Sequence, residues 1–170
     1  AQPMHRLAGM RVNPRTNGPH RAQTLKAISL RSVADGSEIP VTLPANPRLS
    51  WIGFSPDGLR FAFTHTRDTG LELWMGDPTG QARAVSTASL NAMWGRPCEW
   101  LVDSSALLCR FVPPSRSAAP AAPEVPPGPN IQENLGRQAP VRTYQDLLTS
   151  AHDEALFEHF GTSLLAIVDA

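Results

Sequence analysis

The stretch that decides the fold is WIGFSPDGLRFAF, residues 51–63, in which two short apolar runs flank the turn Ser55-Pro56-Asp57-Gly58. A proline at the second position of a turn presets the backbone angle, and a glycine closes the turn at little steric cost. The flanking runs are rich in aromatic and branched residues, which are common in strands. The stretch therefore predicts an antiparallel hairpin.

The chain then continues this hairpin with two further strands. LELWM at residues 71–75 predicts a third strand, and Asp77-Pro78-Thr79-Gly80 is a second turn of the same chemistry. ARAVST at residues 82–87 predicts a fourth strand. Residues 49–87 are thus expected to form a four-stranded antiparallel meander.

The unit recurs along the chain. EWLVDSSALLCRFV, residues 99–112, aligns without a gap with GFSPDGLRFAFTHT, so that Asp103 falls on Asp57, 46 residues earlier. Upstream, LKAISLRSVADGSEIPVTLP matches the second half of the unit, with Asp35-Gly36 at the turn, and downstream TSLLAIVDA resembles the third strand. A four-stranded unit that repeats every 40 to 50 residues is typical of a β-propeller blade. The alternative is a β-sandwich whose turns are similar by chance.

The second repeat is interrupted by a long insertion. Asp57 and Asp77 are 20 residues apart, whereas Asp103 and Asp169 are 66 apart. The pattern divides the chain into propeller blades at residues 1–112, an insertion at 113–161 and a resumed blade strand at 162–170. Prolines cluster in the first part of the insertion, so residues 115–129 are expected to lack regular structure.

The second part of the insertion carries helix signals. Residues 143–146 and 150–153 each resemble a capping box, with an acid three residues after Thr143 or Ser150. They predict short helices at residues 144–148 and 151–160. The apolar residues expected on the buried faces of these helices are Leu147, Leu148, Leu156, Phe157 and Phe160. The residues expected to be mostly buried in the blade sheets are Ile52, Phe54, Phe61, Phe63, Leu73, Trp74, Trp100, Leu107 and Leu108.

Composition excludes several function classes. The 170 residues have a formal net charge of zero and only 18% charged residues, without a basic run, so neither nucleic acid nor a membrane is an expected partner. No apolar stretch reaches the length of a membrane span. His152 and His159 share a helix face, but zinc-binding helices usually place their histidines four apart. A solvated, capped helix is therefore preferred to a metal site, and no cofactor is expected.

The insertion carries a family resemblance. PGPNIQE, PVRTYQDLL and HDEALFEHFGTSLLAIVD, together with LAGMRVNPRTNGPHR near the start, resemble glutamyl endopeptidases of the prolyl oligopeptidase family. The hairpin FSPDGLRFAF, followed by LELWMGDPTG, also resembles the TolB-type propeller repeat. The resemblance implies an N-terminal β-propeller followed by a C-terminal α/β-hydrolase domain with a Ser-Asp-His triad. It further implies a peptidase that cuts after Glu, and it favours a periplasmic or secreted protein.

The hydrolase motif Gly-x-Ser-x-Gly does not occur in this sequence. Two blades and part of a third also cannot close a ring, so the chain is expected to be part of a larger propeller. Its expected function is to gate the access of peptide substrates to the hydrolase domain, which would be its partner, with no catalytic residue in this chain. The alternative is part of a non-enzymatic, TolB-like protein-binding propeller.

Three arginines and four tryptophans are candidate binding residues. Arg116, Arg137 and Arg142 flank the insertion and could face an acidic substrate side chain, although arginines often surround such segments. The tryptophans at positions 51, 74, 94 and 100 could line a ligand groove, but aromatic residues in propellers more often pack between blades.

Cys98 and Cys109 lie equally far from the centre of the Asp103-Ser104 turn. A tight turn without a bulge would place them opposite each other on one sheet face, where a disulfide requires a close, non-hydrogen-bonded pair. The alternative is two buried free thiols. A one-residue bulge would place the two cysteines on opposite faces.

Overall fold

The computed structural model describes residues 2–123 and 146–170. Within these residues the chain forms short antiparallel strands and one helix. The strands are β1 (His5–Leu7), β2 (Met10–Asn13), β3 (Gly18–Pro19), β4 (Ser29–Arg31), β5 (Glu38–Pro40), β6 (Leu49–Phe54), β7 (Phe61–Arg67), β8 (Gly70–Gly76), β9 (Ala82–Ala84), β10 (Cys98–Trp100), β11 (Ala106–Phe111) and β12 (Leu164–Asp169). The helix is α1 (Ala151–Gly161).

The strands form four antiparallel sheets. The first holds β1-β2-β3, the second β4-β5, the third β6-β7-β8-β9 and the fourth β10-β11-β12. The third sheet is the predicted meander, with Phe54 opposite Phe61 and Phe63 opposite Trp74. Its fourth strand ends at Ala84, three residues before the predicted end. The β4-β5 hairpin and the place of β12 beside β11 also agree with the repeat pattern.

The turns of the two repeated hairpins form the same hydrogen bonds. The Asp57 carboxylate accepts the Leu59 N–H at 3.0 Å, and the Asp103 carboxylate accepts the Ser105 N–H at the same distance. Gly58 and Ser104, which the alignment pairs, both have left-handed backbone, with φ values of 70° and 62°. The predicted equivalence of the two hairpins is therefore confirmed.

The four-stranded sheet lies between two other sheets. One of its faces presents Phe61 and Phe63 to a cluster that includes Val41, next to the β4-β5 hairpin. Its opposite face presents Leu73 to Leu107 of the β10-β11-β12 sheet. Sheets stacked face to face in sequence order are the arrangement of propeller blades. The all-β, partial-propeller fold class is confirmed, and the described residues include no closed ring of blades.

Within the described residues, fewer blades are complete than the sequence predicts. The predicted count was two complete blades and part of a third. Among the described residues, only the β6-β7-β8-β9 sheet has four strands, while β10-β11-β12 has three. The β4-β5 pair supplies half a blade, and β1-β2-β3 is a separate sheet that the repeat pattern did not predict.

Burial of the predicted core depends on which sheet face a residue occupies. Phe61, Phe63, Leu73 and Leu107 are buried, as predicted. Trp74 and Trp100 are partly buried against the core clusters. The prediction is wrong for three residues whose side chains reach the edge or outer face of a sheet: Ile52, Phe54 and Leu108, which are 37%, 60% and 42% exposed.

The helix α1 begins where the second capping box predicts. The Ser150 side chain accepts the Asp153 N–H at 3.1 Å, while the Asp153 carboxylate accepts the N–H of Thr149. Leu156 and Phe160 form its buried face, whereas Phe157 and Leu148 are half-buried and Leu147 is 52% exposed.

The earlier helix at residues 144–148 is not borne out in its described part. Residues 146–148 are not helical, and residues 144 and 145 lie outside the described residues. Asp146 has a left-handed φ of 62°, which interrupts a helix at this point. In the proline-rich part, residues 115–123 contain no helix or strand, as predicted, and residues 124–129 lie outside the described residues. Over the described parts of the chain, no helix has the length and apolar character needed to cross a membrane.

Candidate functional site

The N-terminal sheet packs against the helix. Leu7 and Val12 form a buried cluster with Met93, Leu156 and Phe160. These contacts place the loop that follows β2 between α1 on one side and the four-stranded sheet on the other. Two polar features lie along this loop: a buried hydrogen-bonded group at the end of the helix, and an open cleft beside strand β6.

The buried group satisfies the carbonyl groups at the C-terminal end of α1. Asn91 donates to the Phe160 carbonyl at 2.9 Å, and Asn17 donates to the same oxygen at 3.1 Å. Trp94 donates its indole N–H to the Gly161 carbonyl at 2.8 Å. The last carbonyl groups of a helix have no partner within the helix. Side chains from distant segments therefore cap this helix and fix its position.

Arg116 belongs to this capping group. Its Nη1 donates to the Asn17 side-chain oxygen at 2.6 Å and to the His159 carbonyl at 3.4 Å, and its guanidinium lies 5.5 Å from the Phe160 ring centroid. A cation at a helix C-terminus is favourable because carbonyl dipoles converge there. Burial lowers the pKa of Arg116, and burial together with the Arg116 charge lowers the pKa of His159.

The cleft has a volume of about 300 Å³. One wall comes from the loop after β2 and includes Thr16 and Arg21, and the other comes from β6 and β7 and includes Arg48 and Thr64. The segment before β10, with Arg96, closes one end. Arginines and hydroxyl groups therefore share this cleft, which makes it suited to accept an anion or a polar ligand.

Trp51 also lines the cleft, and its backbone is unusual. It has a φ of 29°, at a point where the pairing of β6 with β7 shifts register between Ser50 and Ile52. A bulge of this kind turns a side chain away from its regular direction, and positive φ at a bulky residue stores strain. The indole ring lies against Gly53, where an added Cβ would approach it to 3.3 Å.

The other tryptophans are held by the protein itself. The Trp74 indole donates to Glu72, and its ring stacks 6.0 Å from the ring of Phe63. The Trp100 indole donates to the Gly53 carbonyl at 3.1 Å. Trp94, besides capping α1, meets the Phe157 ring edge-on at 5.4 Å. Packing between elements therefore accounts for three tryptophans, while Trp51 also borders the cleft.

Of the three candidate arginines, the structure describes only Arg116. Arg116 contacts the end of α1, and Arg137 and Arg142 lie outside the described residues. Their role in facing an acidic substrate side chain stays a prediction.

Cys98 and Cys109 pair directly across β10 and β11, and their sulfur atoms form a disulfide bond. Their Cα atoms are 4.2 Å apart, which matches the short spacing of a non-hydrogen-bonded pair. Both residues lie in the core between the stacked sheets, so the bridge closes the base of the second hairpin.

His159 of α1 and His5 of β1 both pack near Phe160. The His159 ring meets the Phe160 ring edge-on at 4.9 Å, and the centroid of the His5 ring lies 5.4 Å from that of Phe160. Burial lowers the pKa of His5, and the charge of His152 lowers it further, against an opposing effect of Asp153. Within residues 2–123 and 146–170, no three His, Cys, Asp or Glu side chains lie in a group suited to a metal.

Sequence reasoning missed the residues that build both polar features. Asn17 and Asn91 are 74 positions apart and meet only through tertiary packing. Arg21 and Arg48 lie in no recognisable motif of the sequence. The one local signal was PRTNGP, residues 14–19, which predicts turns but not their partners.

These stacked sheets, with a helix-bearing insertion between two neighbouring strands, define a segment of a β-propeller. The chain is 33% identical over 183 residues to the probable glutamyl endopeptidase, chloroplastic, of Oryza sativa subsp. japonica, and 30% identical over 182 residues to the protein of the same name from Arabidopsis thaliana. Each alignment covers 98% of this chain and 19% of the relative. The resemblance to glutamyl endopeptidases is confirmed, and the chain spans about a fifth of the length of these relatives.

No protein-family model matches the chain. Among solved structures, acylaminoacyl peptidase from Pyrococcus horikoshii is similar, with a TM-score of 0.41 and 24% sequence identity, over 59% of this chain and 15% of that chain.

Proposed function

We propose that this chain is the non-catalytic propeller segment of a serine peptidase, and that it limits the access of peptides to a C-terminal α/β-hydrolase domain of the same protein. The observation that carries the proposal is the similarity, over 98% of the chain, to two proteins named probable glutamyl endopeptidase. The proposed activity of the whole protein is endopeptidase cleavage after Glu. The hydrolase domain and peptide substrates are the proposed partners.

The packing supports a gating role. Phe63 and Leu73, on opposite faces of the four-stranded sheet, are both fully buried by neighbouring sheets. A wall of such sheets resists deformation because separating them exposes apolar surface, at about 25 cal/mol per Å². A rigid wall selects substrates by size, so an extended peptide enters more easily than a folded domain. This selection needs no chemistry from the residues of this chain.

The test uses the full-length protein and one cleavable sequence in two settings. A short Glu-containing peptide and the same sequence within a stably folded protein are incubated with the enzyme, and cleavage is followed by mass spectrometry. We expect rapid cleavage of the peptide and little of the folded protein. Replacing Glu by Gln in the peptide should abolish cleavage at that position.

Two variants connect this result to the stacked sheets. Leu107→Ala removes a buried side chain between sheets and should increase cleavage of the folded substrate relative to the peptide. Leu108→Ala, on the exposed face of the same strand, is the matched control and should leave the ratio unchanged. Equal cleavage of both substrates by the unaltered protein would refute gating, and equal cleavage of Glu and Gln peptides would refute the specificity. If the full-length protein cleaves neither peptide, the peptidase assignment itself is wrong.

A further inference from the structure

The charged side chains that line the cleft between the N-terminal loop and strands β6 and β7 are all positive. Its lining includes Arg21, Arg48 and Arg96 and contains no Asp or Glu. Thr64 and Thr66 of β7 also line the cleft, although the Thr64 hydroxyl already donates to the Ser50 carbonyl at 2.8 Å. Arginine presents its donors in a planar fork that matches the oxygens of a carboxylate or a phosphate. The cleft thus gathers donors for an oxyanion without an acidic group on its walls.

The arginines retain donors that could bind a ligand. Arg48 uses Nε for the Thr66 carbonyl and Nη2 for Asp68, both at 2.8 Å, which leaves Nη1. Arg96 has Nη1 within 3.3 Å of the Glu99 carboxylate. Arg21 forms no ion pair or side-chain hydrogen bond with any residue in the described ranges.

The acidic partners of these arginines are weak competitors. The Asp68 side chain is 91% exposed and that of Glu99 is 66% exposed. Exposed ion pairs contribute little free energy because water and salt screen them. An anion inside the cleft is partly shielded from solvent, so it can attract the same guanidinium groups more strongly than either surface carboxylate does.

Trp51 provides a second, independent observation. Of the four tryptophans, Trp74, Trp94 and Trp100 donate their indole N–H to the protein, whereas Trp51 has no such acceptor within residues 2–123 and 146–170. It lines the cleft at the bulge of β6, where its backbone is strained. Strained residues at bulges occur often at ligand sites. The ring supplies an apolar wall beside the arginines.

We propose that this cleft is a binding site for a small oxyanion ligand, either a carboxylate or a phosphate. Arg21 binds this ligand together with the free donors of Arg48 and Arg96. The site lies beside strand β6 and does not depend on the peptidase assignment. Its volume of about 300 Å³ suits a small metabolite-sized anion.

Calorimetric titration of the full-length protein tests the proposal, with inorganic phosphate as one probe and glutarate as the other. We expect saturable binding of at least one probe at low ionic strength. Arg21→Gln should weaken it about 10- to 100-fold, because hydrogen bonds to charged groups are worth a few kcal/mol. Raising the salt concentration should weaken binding as well.

Arg83→Gln is the matched control, since Arg83 is an exposed arginine of β9 that does not line this cleft. Circular dichroism confirms that both variants are folded. Binding of phosphate alone or of glutarate alone identifies the ligand chemistry, and binding of both indicates an unselective oxyanion site. The proposal is overturned if neither probe binds, or if Arg21→Gln binds as tightly as Arg83→Gln.

Discussion

The four-stranded sheet and the β10-β11-β12 sheet come from the same repeated hairpin, but their surroundings differ on one face. Leu108 occupies the position that Ala62 has 46 residues earlier. Ala62 is fully buried beneath the next sheet, whereas Leu108 is 42% exposed. On the opposite face the equivalent pairs, Ile52 with Phe63 and Cys98 with Cys109, keep the same register.

The sequence of a strand and the coverage of its sheet face are therefore separate properties. The repeat determines the turn and the register, and both are reproduced between the two hairpins. Coverage depends on whether another sheet packs on that face. In the described chain the outer face of β10-β11-β12 leaves Leu165 and Ile167 exposed beside Leu108.

The largest expected loss of stability distinguishes the buried face of strand β11 from its exposed face. Leu107 is fully buried between the sheets, and Leu107→Ala should destabilise the protein by about 2–5 kcal/mol, because it removes buried apolar surface and leaves a cavity. Urea unfolding followed by tryptophan fluorescence measures the loss.

Leu108→Ala provides the control, since it makes the same chemical change at the neighbouring position. Its cost should remain below about 1 kcal/mol, because the side chain is already 42% exposed. Equal losses in the two variants would mean that a further element covers the outer face in the full-length protein, and the contrast between the sheets would disappear.

The second prediction concerns the cross-link that only the second hairpin has. Replacing both Cys98 and Cys109 by Ala should cost about 2–3 kcal/mol, because the bridge restricts the unfolded chain over a sequence separation of 11. A reductant should lower the melting temperature of the natural protein but not that of the double variant. Two titratable thiols per chain in denaturant without reductant would show that the bridge is not formed in solution.

The parts of the fold that sequence predicted are local. The hairpins follow from Pro-Asp-Gly turn chemistry, and the start of α1 follows from Ser150 and Asp153, because each interaction spans a few residues. Phe54 was wrongly expected in the core, since its burial depends on a neighbouring sheet rather than on its own strand. The cleft could not be predicted, because Arg21 and Arg48 approach each other only through the packing of the N-terminal loop.

The third prediction tests the left-handed position that the two turns share. Gly58 tolerates its φ of 70°, whereas Ser104 at 62° bears steric strain and compensates by accepting the Asp57 N–H at 3.0 Å. Ser104→Ala should cost about 1–2 kcal/mol, because it loses the bond and keeps the strain. Ser104→Gly should cost about 1 kcal/mol less, because it relieves that strain.

Gly58→Ala supplies the reverse comparison in the first hairpin and should cost about 1 kcal/mol through strain alone, since open space surrounds the added Cβ. Chemical denaturation of the three variants side by side gives the ranking. If Ser104→Gly proved as damaging as Ser104→Ala, backbone strain at this position would be negligible, because both variants lose the same hydrogen bond.

The smallest expected effect on stability comes from the carboxylates of Asp57 and Asp103, and it should be similar in the two hairpins. Hydrogen bonds from the Ser55 side chain and the Leu59 N–H lower the pKa of Asp57, and the side chain and N–H of Ser105 lower the pKa of Asp103 in the same way. Each carboxylate is therefore favoured by the fold. The resulting stabilisation is complete above the unfolded-state pKa of about 3.9 and is lost as the pH falls through the lower folded-state pKa.

Carbon-detected NMR titration of the side-chain carboxyl groups gives both midpoints, and each should lie below about 3.9. The turn of the β4-β5 hairpin is an internal reference, because hydrogen bonds from Ser32 and Ser37 lower the pKa of Asp35 to about 2. Asp57→Asn and Asp103→Asn should each flatten the acid side of the stability profile by a similar small amount, because both carboxylates are exposed to solvent. A normal midpoint for Asp103 beside a lowered one for Asp57 would show that the second turn opens in solution, and that the equivalence of the two hairpins ends at their strands.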